Sequence, residues 1–329
     1  MPAAVAALSF LVAFVVLRVL LARFGRLALD RPNERSLHER PVPRTGGIAV
    51  LAGASVSIAF GAGELWLPLL AAAALAIVSF IDDLRGMHGG ARLAVHLVAA
   101  GLLAWYVLAP MHAVSLALIA IAVAWVTNLF NFMDGSDGLA GGMATIGFGT
   151  YALAAAVLGD ASLAALCTAL AAACAAFLFH NFHPARIFLG DVGSIPLGFL
   201  AAALGVVGWR NDLWPLWFPV LVFGPFIGDA TLTFAKRLVR GERVWEAHRA
   251  HYYQRLVRMG FGHRATALVG YAAMLACAAT ALAGRSQPAP VQAALFAGAS
   301  ALLAALALWI DLRWRRFLRL GGPPAEAAR

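Results

Sequence analysis

Apolar residues follow one another along this chain in long, little-interrupted runs. Ala3–Ala22, Ala94–Leu108 and Val114–Phe130 are the clearest, and about 20 such residues are what a helix needs to cross the hydrocarbon of a bilayer. The pattern predicts eleven spans, at 3–22, 46–62, 65–81, 93–109, 113–130, 142–158, 161–179, 194–209, 213–234, 265–284 and 290–311. Tight turns such as Gly159-Asp160 and Arg210-Asn211-Asp212 join some of them. The other connections, 23–45, 82–92, 131–141, 180–193 and 235–264, are longer and more polar. The expectation is an all-α integral membrane protein: one polytopic bundle over 1–312 with chemistry on those five loops, and a basic tail over 313–329.

Composition agrees. The 329 residues are 62% hydrophobic and 12% charged, against about 45–50% and 25% for a soluble domain. The formal net charge of +9 would suit a nucleic-acid partner, but its distribution argues for topology instead. With eleven alternating spans, all five long loops share one side with the C-terminus, and only Arg210 and Arg285 of the 25 basic residues fall on the other. The positive-inside rule makes the long-loop side cytoplasmic and puts the N-terminus outside. No nucleic acid is expected; contact with anionic membrane lipid is a second use for the basic face. Cys167, Cys174 and Cys277 all lie within apolar runs without ligand spacing, so they read as small buried residues.

The acidic residues carry the candidate chemistry. Glu64, Asp160 and Asp212 sit alone in turns on the outer side, whereas Asp82, Asp83, Asp134, Asp137, Asp191 and Asp229 gather towards the cytoplasmic edge. Ionisable groups at membrane depth are expensive and need a reason. Asp82-Asp83 deliver adjacent carboxylates at the end of an apolar run. Asn128, Asn131 and Asp134 recur every three residues, close to one helix face, and Asp134-Gly-Ser-Asp137-Gly lacks the spacing of a calcium loop. Phe188-Leu-Gly-Asp191-Val-Gly-Ser sets a carboxylate between glycines at a helix start, where it can also serve as a simple cap. His248-Arg249-Ala-His251 places two imidazoles one helical turn apart in a basic loop; zinc would want a third ligand, and the arginines favour an anion. Arg40-Pro-Val-Pro-Arg44-Thr-Gly-Gly is a further basic stretch.

In order, Arg-Pro-Val-Pro-Arg-Thr-Gly-Gly, Asp-Asp-Leu-Arg-Gly, Asn-x2-Asn-x2-Asp-Gly-x-Asp-Gly-Leu-Ala-Gly-Gly, Phe-Leu-Gly-Asp-x-Gly-Ser and His-x2-His span Arg31 to Arg258. The series resembles the polyprenyl-phosphate N-acetylhexosamine-1-phosphate transferases, glycosyltransferase family 4. The eleven spans and Ala247-His-Arg-Ala-His-Tyr-Tyr-Gln254 look most like the O-antigen initiators, and depart from the triple histidine of the peptidoglycan branch. The resemblance implies an enzyme of the bacterial inner membrane with its site facing the cytoplasm. It implies transfer of a sugar 1-phosphate from a UDP-N-acetyl sugar to undecaprenyl or another polyprenyl phosphate, releasing UMP, as the first step of O-antigen or another envelope glycan.

By the same resemblance Asp191 is the Mg²⁺ ligand, with Mn²⁺ the alternative metal, and Asp82 and Asp83 sit by the acceptor phosphate. Asn128, Asn131, Asp134 and Asp137 hold the nucleotide and its diphosphate, and Phe188 takes the place of the ring that stacks on uracil. His248, Arg249 and His251 meet the diphosphate or sugar, and Arg40 or Arg44 the lipid phosphate. A homodimer is compatible with all of this. The rival reading is a multi-span transporter or flippase for an anionic sugar or lipid, although such proteins keep polar groups near mid-membrane.

Overall fold

The computed structural model describes residues 2–25, 28–30, 37, 41–246 and 248–321. Within them the chain is a helical bundle. In order come α1 (Pro2–Arg23), α2 (Gly46–Ser55), α3 (Trp66–Arg85), α4 (Gly89–Leu108), α5 (Ala113–Phe132), α6 (Leu139–Val157) and α7 (Ala161–Asn181). They are followed by α8 (Asp191–Arg210), α9 (Trp217–Val222), α10 (Gly224–Val239), α11 (Tyr252–Leu256), α12 (Gly262–Gly284) and α13 (Ala289–Arg319). A two-residue antiparallel ladder, β1 (Leu29–Asp30) with β2 (Val42–Pro43), lies between α1 and α2.

Among the described residues, nine helices are long and apolar enough to cross a membrane. They coincide with nine of the eleven expected spans. The other two runs are helical but built differently. The run 46–62 is α2 prolonged by a 3₁₀ segment, Val56–Phe60, whose rise of about 2 Å per residue stretches a short crossing. The run 213–234 is split into α9 and α10. Pro225 stands in the first turn of α10, where its missing N–H is harmless to the new helix but cannot extend the old one. The expected basic tail begins as a continuation of α13, because Trp314 is buried and lies 4.9 Å beneath the Arg258 guanidinium.

Small residues set the packing, as they do where lipid offers no hydrophobic drive between helices. The most enclosed span is α8, 89% buried. It meets α2 at Gly47 and Gly193, where a Cβ on Gly47 would lie 2.2 Å from the Gly193 Cα. It meets α5 at Gly198, whose Cβ would come within 2.7 Å of the Phe130 Cβ. Tyr151 donates from its hydroxyl to the Ala201 carbonyl at 3.1 Å and packs among Trp214, Phe218 and Phe223. Cys167, Cys174 and Cys277 are all buried and free.

The two ends of the bundle differ. One holds short turns closed by Ser162 to the Gly61 carbonyl (3.0 Å), Asn211 to Asp160 (3.1 Å) and Trp217 to Gln292 (2.8 Å). The other gathers the C-terminal ends of α3 and α5 with the N-terminal ends of α2, α4, α6 and α8, and carries almost every polar residue singled out above.

Candidate active site

The last turn of α3 delivers Asp82 and Asp83, and the structure treats them differently. Asp82 is turned to local work: Oδ1 accepts the Met87 N–H and Oδ2 the Arg92 guanidinium at 3.2 Å. Asp83 is almost wholly enclosed. Arg44 approaches its Oδ1 at 3.6 Å, and its buried Oδ2 meets no hydrogen-bond donor among the described residues.

Asp191 opens α8 through a crossing of two loops. Phe188 donates its N–H to the Pro43 carbonyl (2.7 Å), and Gly46 and Gly47 donate theirs to Phe188 and Leu189 (both 2.9 Å). Gly190 adopts φ +71° directly over Arg44, whose carbonyl oxygen a Cβ would approach to 2.2 Å. Only glycine tolerates both the left-handed backbone and the contact. The result sets Arg44 and Asp191 on one rim. Asn131, at the end of α5, donates to Asp191 Oδ1 at 2.7 Å and to Ser194 at 2.9 Å, and Arg92 stands 3.9 Å from Asp191 Oδ2. Asp83, Asp191, Asn131, Arg44 and Arg92 thus form one cluster drawn from the loop before α2 and from α3, α4, α5 and α8. Phe188 is half-buried beside it.

The turn after α5 divides its two carboxylates. Burial, with Asp191 and Asp30 nearby, pushes Asp134 well above the usual carboxylate range. Asp137 instead accepts from His183 at 2.7 Å and from the Ala185 N–H at 3.1 Å, with His263 at 3.8 Å. Its contacts clamp the 180–186 loop. Asn128 bonds His96 at 3.1 Å and the Ala124 carbonyl, so His96 is a buried histidine with a hydrogen-bond partner.

The 240–251 loop closes over the same end. His248 and His251 lie 4.9 Å apart, centroid to centroid. Burial, then the neighbouring His251 and Arg237, pull the His248 ring down to about 3; it is neutral at ordinary pH, and its Nδ1 accepts the Ala250 N–H. Tyr253 ties the loop to the end of α5 by donating to the Phe132 carbonyl at 3.0 Å. The Arg258 guanidinium reaches the Arg249 carbonyl at 3.4 Å. Arg40 lies outside the described residues.

Sequence reasoning passed over Arg92, Asp30, His183 and His263. A lone cation opening an apolar run and scattered histidines carry no spacing signal; only the fold brings them to the cluster.

The donor set suits a hard divalent cation. Asp82, Asp83 and Asp191 are faced, among the described residues, by the guanidinium groups of Arg44 and Arg92, and the unpartnered Asp83 oxygen points to unmet demand for positive charge. Among the described residues, no three acidic, His or Cys side chains are placed to cage a metal alone. That matches Mg²⁺, which keeps water and substrate phosphate in its shell and takes only one or two carboxylates.

Comparison with known proteins identifies the family. The family model described as "Glycosyl transferase family 4" matches residues 65–209. A Bacillus subtilis protein named "Probable undecaprenyl-phosphate N-acetylglucosaminyl 1-phosphate transferase" is 29% identical over 74% of this chain and 74% of its own. The Mycobacterium tuberculosis decaprenyl-phosphate N-acetylglucosaminephosphotransferase is 31% identical over 77% of this chain and 74% of its own. A Staphylococcus aureus phospho-N-acetylmuramoyl-pentapeptide-transferase is 34% identical over 40% of each. With five motifs converging on one end of the bundle, and relatives this similar over most of its length, the chain belongs to glycosyltransferase family 4, the polyprenyl-phosphate N-acetylhexosamine-1-phosphate transferases.

Proposed function

We propose that this protein transfers an N-acetylhexosamine 1-phosphate from a UDP-sugar to a polyprenyl phosphate at the cytoplasmic face of the bacterial inner membrane. A phosphate oxygen of the lipid attacks the sugar-bearing phosphorus, the bond to the bridging oxygen breaks, and UMP departs with that oxygen. The observation that carries the reading is the cluster of Asp83, Asp191, Asn131, Arg44 and Arg92 at one end of an apolar bundle.

Two phosphate-bearing substrates need cations and fixed orientation, and this chain supplies both. Arg44 and Arg92 provide guanidinium charge for phosphate oxygens. Asn131 fixes the rotamer of Asp191 by holding Oδ1, while Arg92 stands 3.9 Å from Oδ2; 25% of the Asp191 side chain is exposed. Asp191 would hold Mg²⁺, or Mn²⁺ in its place, with the donor diphosphate completing the shell, and the ion would there neutralise charge on the transferring phosphoryl group. Asp83 orients the acceptor phosphate or takes its remaining proton through the free Oδ2. Asp134, in the turn after α5, would meet the donor diphosphate. His248, Arg249 and His251 close over the sugar end, and Phe188 stacks on the uracil. An apolar cavity of about 370 Å³ between α10, α12 and α13 reaches Met133 and Tyr253 at this same end, room for the first isoprene units of the acceptor. We infer that the product begins a cell-envelope glycan, with O-antigen the glycan favoured by the His-x2-His loop.

The test is UMP release by purified protein given Mg²⁺, undecaprenyl phosphate and a panel of UDP-N-acetyl sugars. UMP that appears only when lipid, metal and one sugar nucleotide are all present supports the proposal and names the donor. Binding of UDP-sugar with no UMP from any donor, by folded protein, removes it.

A further inference from the structure

Asp229, like Asp82 and Asp137, takes no direct part in that scheme. It lies in the second turn of α10, just past the break at Gly224-Pro225, and both its oxygens are fully used. Oδ1 accepts the Tyr252 N–H at 3.0 Å, the His251 imidazole at 3.1 Å and the Thr233 hydroxyl at 3.2 Å; Oδ2 accepts the Tyr253 N–H at 3.0 Å. Three of these four donors come from three consecutive residues of the 240–264 loop, so one side chain dictates how that loop re-enters the bundle.

The geometry also assigns the histidine's tautomer. Two peptide N–H groups already donate to the same carboxylate, so the His251 contact is assigned as Nδ1–H donating to Asp229 Oδ1. The ring is 6% exposed, with the Phe132 ring 6.4 Å and the Tyr253 ring 5.8 Å away, both near parallel to it. Gln254 braces the turn by accepting the His251 N–H at 3.2 Å. With Nδ1 engaged, Nε2 is the ring nitrogen that can meet a ligand, and the His248 ring stands 4.9 Å away.

We propose that Asp229 is a positioning residue for the sugar nucleotide: it holds His251 and the first turn of α11 so that the histidine loop meets the donor, and it has no part in holding the lipid phosphate. The proposal rests on the transfer reading given above, in which that loop binds the donor.

The experiment compares full-length wild type, Asp229→Asn, His251→Ala and the double variant. It measures UDP-sugar affinity by calorimetry, and the KM for donor and for acceptor by UMP release. Asp229→Asn should weaken donor binding and raise donor KM by about tenfold or more, the scale of a lost charged hydrogen bond, and leave acceptor KM within about twofold. The double variant should bind donor no more weakly than His251→Ala alone, because the carboxylate acts through the ring. Should Asp229→Asn not fold, Asp229→Glu, which keeps the charge and displaces it by one methylene, carries the same comparison. Equal changes in both KM values, multiplying losses in the double variant, or a fall in thermal stability with unchanged donor affinity would each overturn the positioning role. Wild type that binds UDP-sugar but releases no UMP refutes the transfer reading alone, with the affinities still deciding the inference. Wild type that binds no UDP-sugar ends both.

Discussion

At the scale of single residues, the adjacent pair Asp82-Asp83 separates into two environments that no sequence pattern could divide. Asp82 closes the end of α3 onto Met87 and Arg92, so Asp82→Asn should lower stability by about 1 kcal/mol. Asp83 keeps a buried oxygen without a donor. Asp83→Asn should leave thermal stability unchanged or raised, since it relieves a buried charge, while kcat falls on the order of 10²-fold or more. The reverse ranking in paired melting and turnover assays would exchange their roles. Asp191→Asn should remove transfer almost entirely in protein that still purifies folded. Activity within about tenfold of wild type, ~1.4 kcal/mol of barrier, would take Asp191 out of the metal role. His248 gives a pH signature. Its folded value, about 3, lies below the ordinary imidazole value, so the unfolded chain binds the extra proton. Stability therefore rises with pH between about 3 and 6.5 and is lost as the solution is acidified through that window. Melting curves of His248→Gln should show a flatter slope there; an unchanged slope would mean that the ring titrates normally. Carboxylates at span ends were legible because charge at membrane depth demands a cause. The partners Arg92, Asp30, His183 and His263 were not, because contact between distant elements leaves no mark in local spacing.

Helices and loops were more legible than side chains. All eleven apolar runs are helical, since in lipid a backbone must satisfy its own hydrogen bonds and hydropathy alone finds such segments. What hydropathy could not show is that two of them are irregular: α2 finishes as a 3₁₀ turn, and α9 gives way to α10 at Phe223. The latter break matters because it frees the chain to turn Asp229 towards the histidine loop. Glycine patterning was equally silent on which glycines bear on packing. Gly47 and Gly193 do, since α2 and α8 touch backbone to backbone there. A single Gly193→Ala should shift α8 away from α2, lower the melting temperature in detergent, and depress activity through Arg44 and Asp191, which flank the crossing. By contrast Gly61→Ala, at a turn with open space around it but φ +96°, should cost stability without touching turnover. Equal catalytic loss from both would mean that the crossing has no special hold on the site.

For the whole molecule, the division of charge between the two ends makes orientation testable. In spheroplasts, a membrane-impermeant maleimide should label Arg210→Cys and spare Arg240→Cys, both at exposed positions, with the native cysteines buried; the opposite labelling would invert the topology. The juxtaposition of a polar cluster with an apolar cavity at one end has a kinetic consequence. Under the proposed reaction the two substrates are counted in different dimensions, the sugar nucleotide per volume of water and the polyprenyl phosphate per area of membrane. Adding inert phospholipid to vesicles at fixed total acceptor should therefore slow the enzyme by surface dilution, while enlarging the aqueous volume at fixed nucleotide concentration should not. A cell could then set the output of such an enzyme through the crowding of its carrier lipid in the plane of the bilayer, with the cytosolic sugar-nucleotide pool held constant.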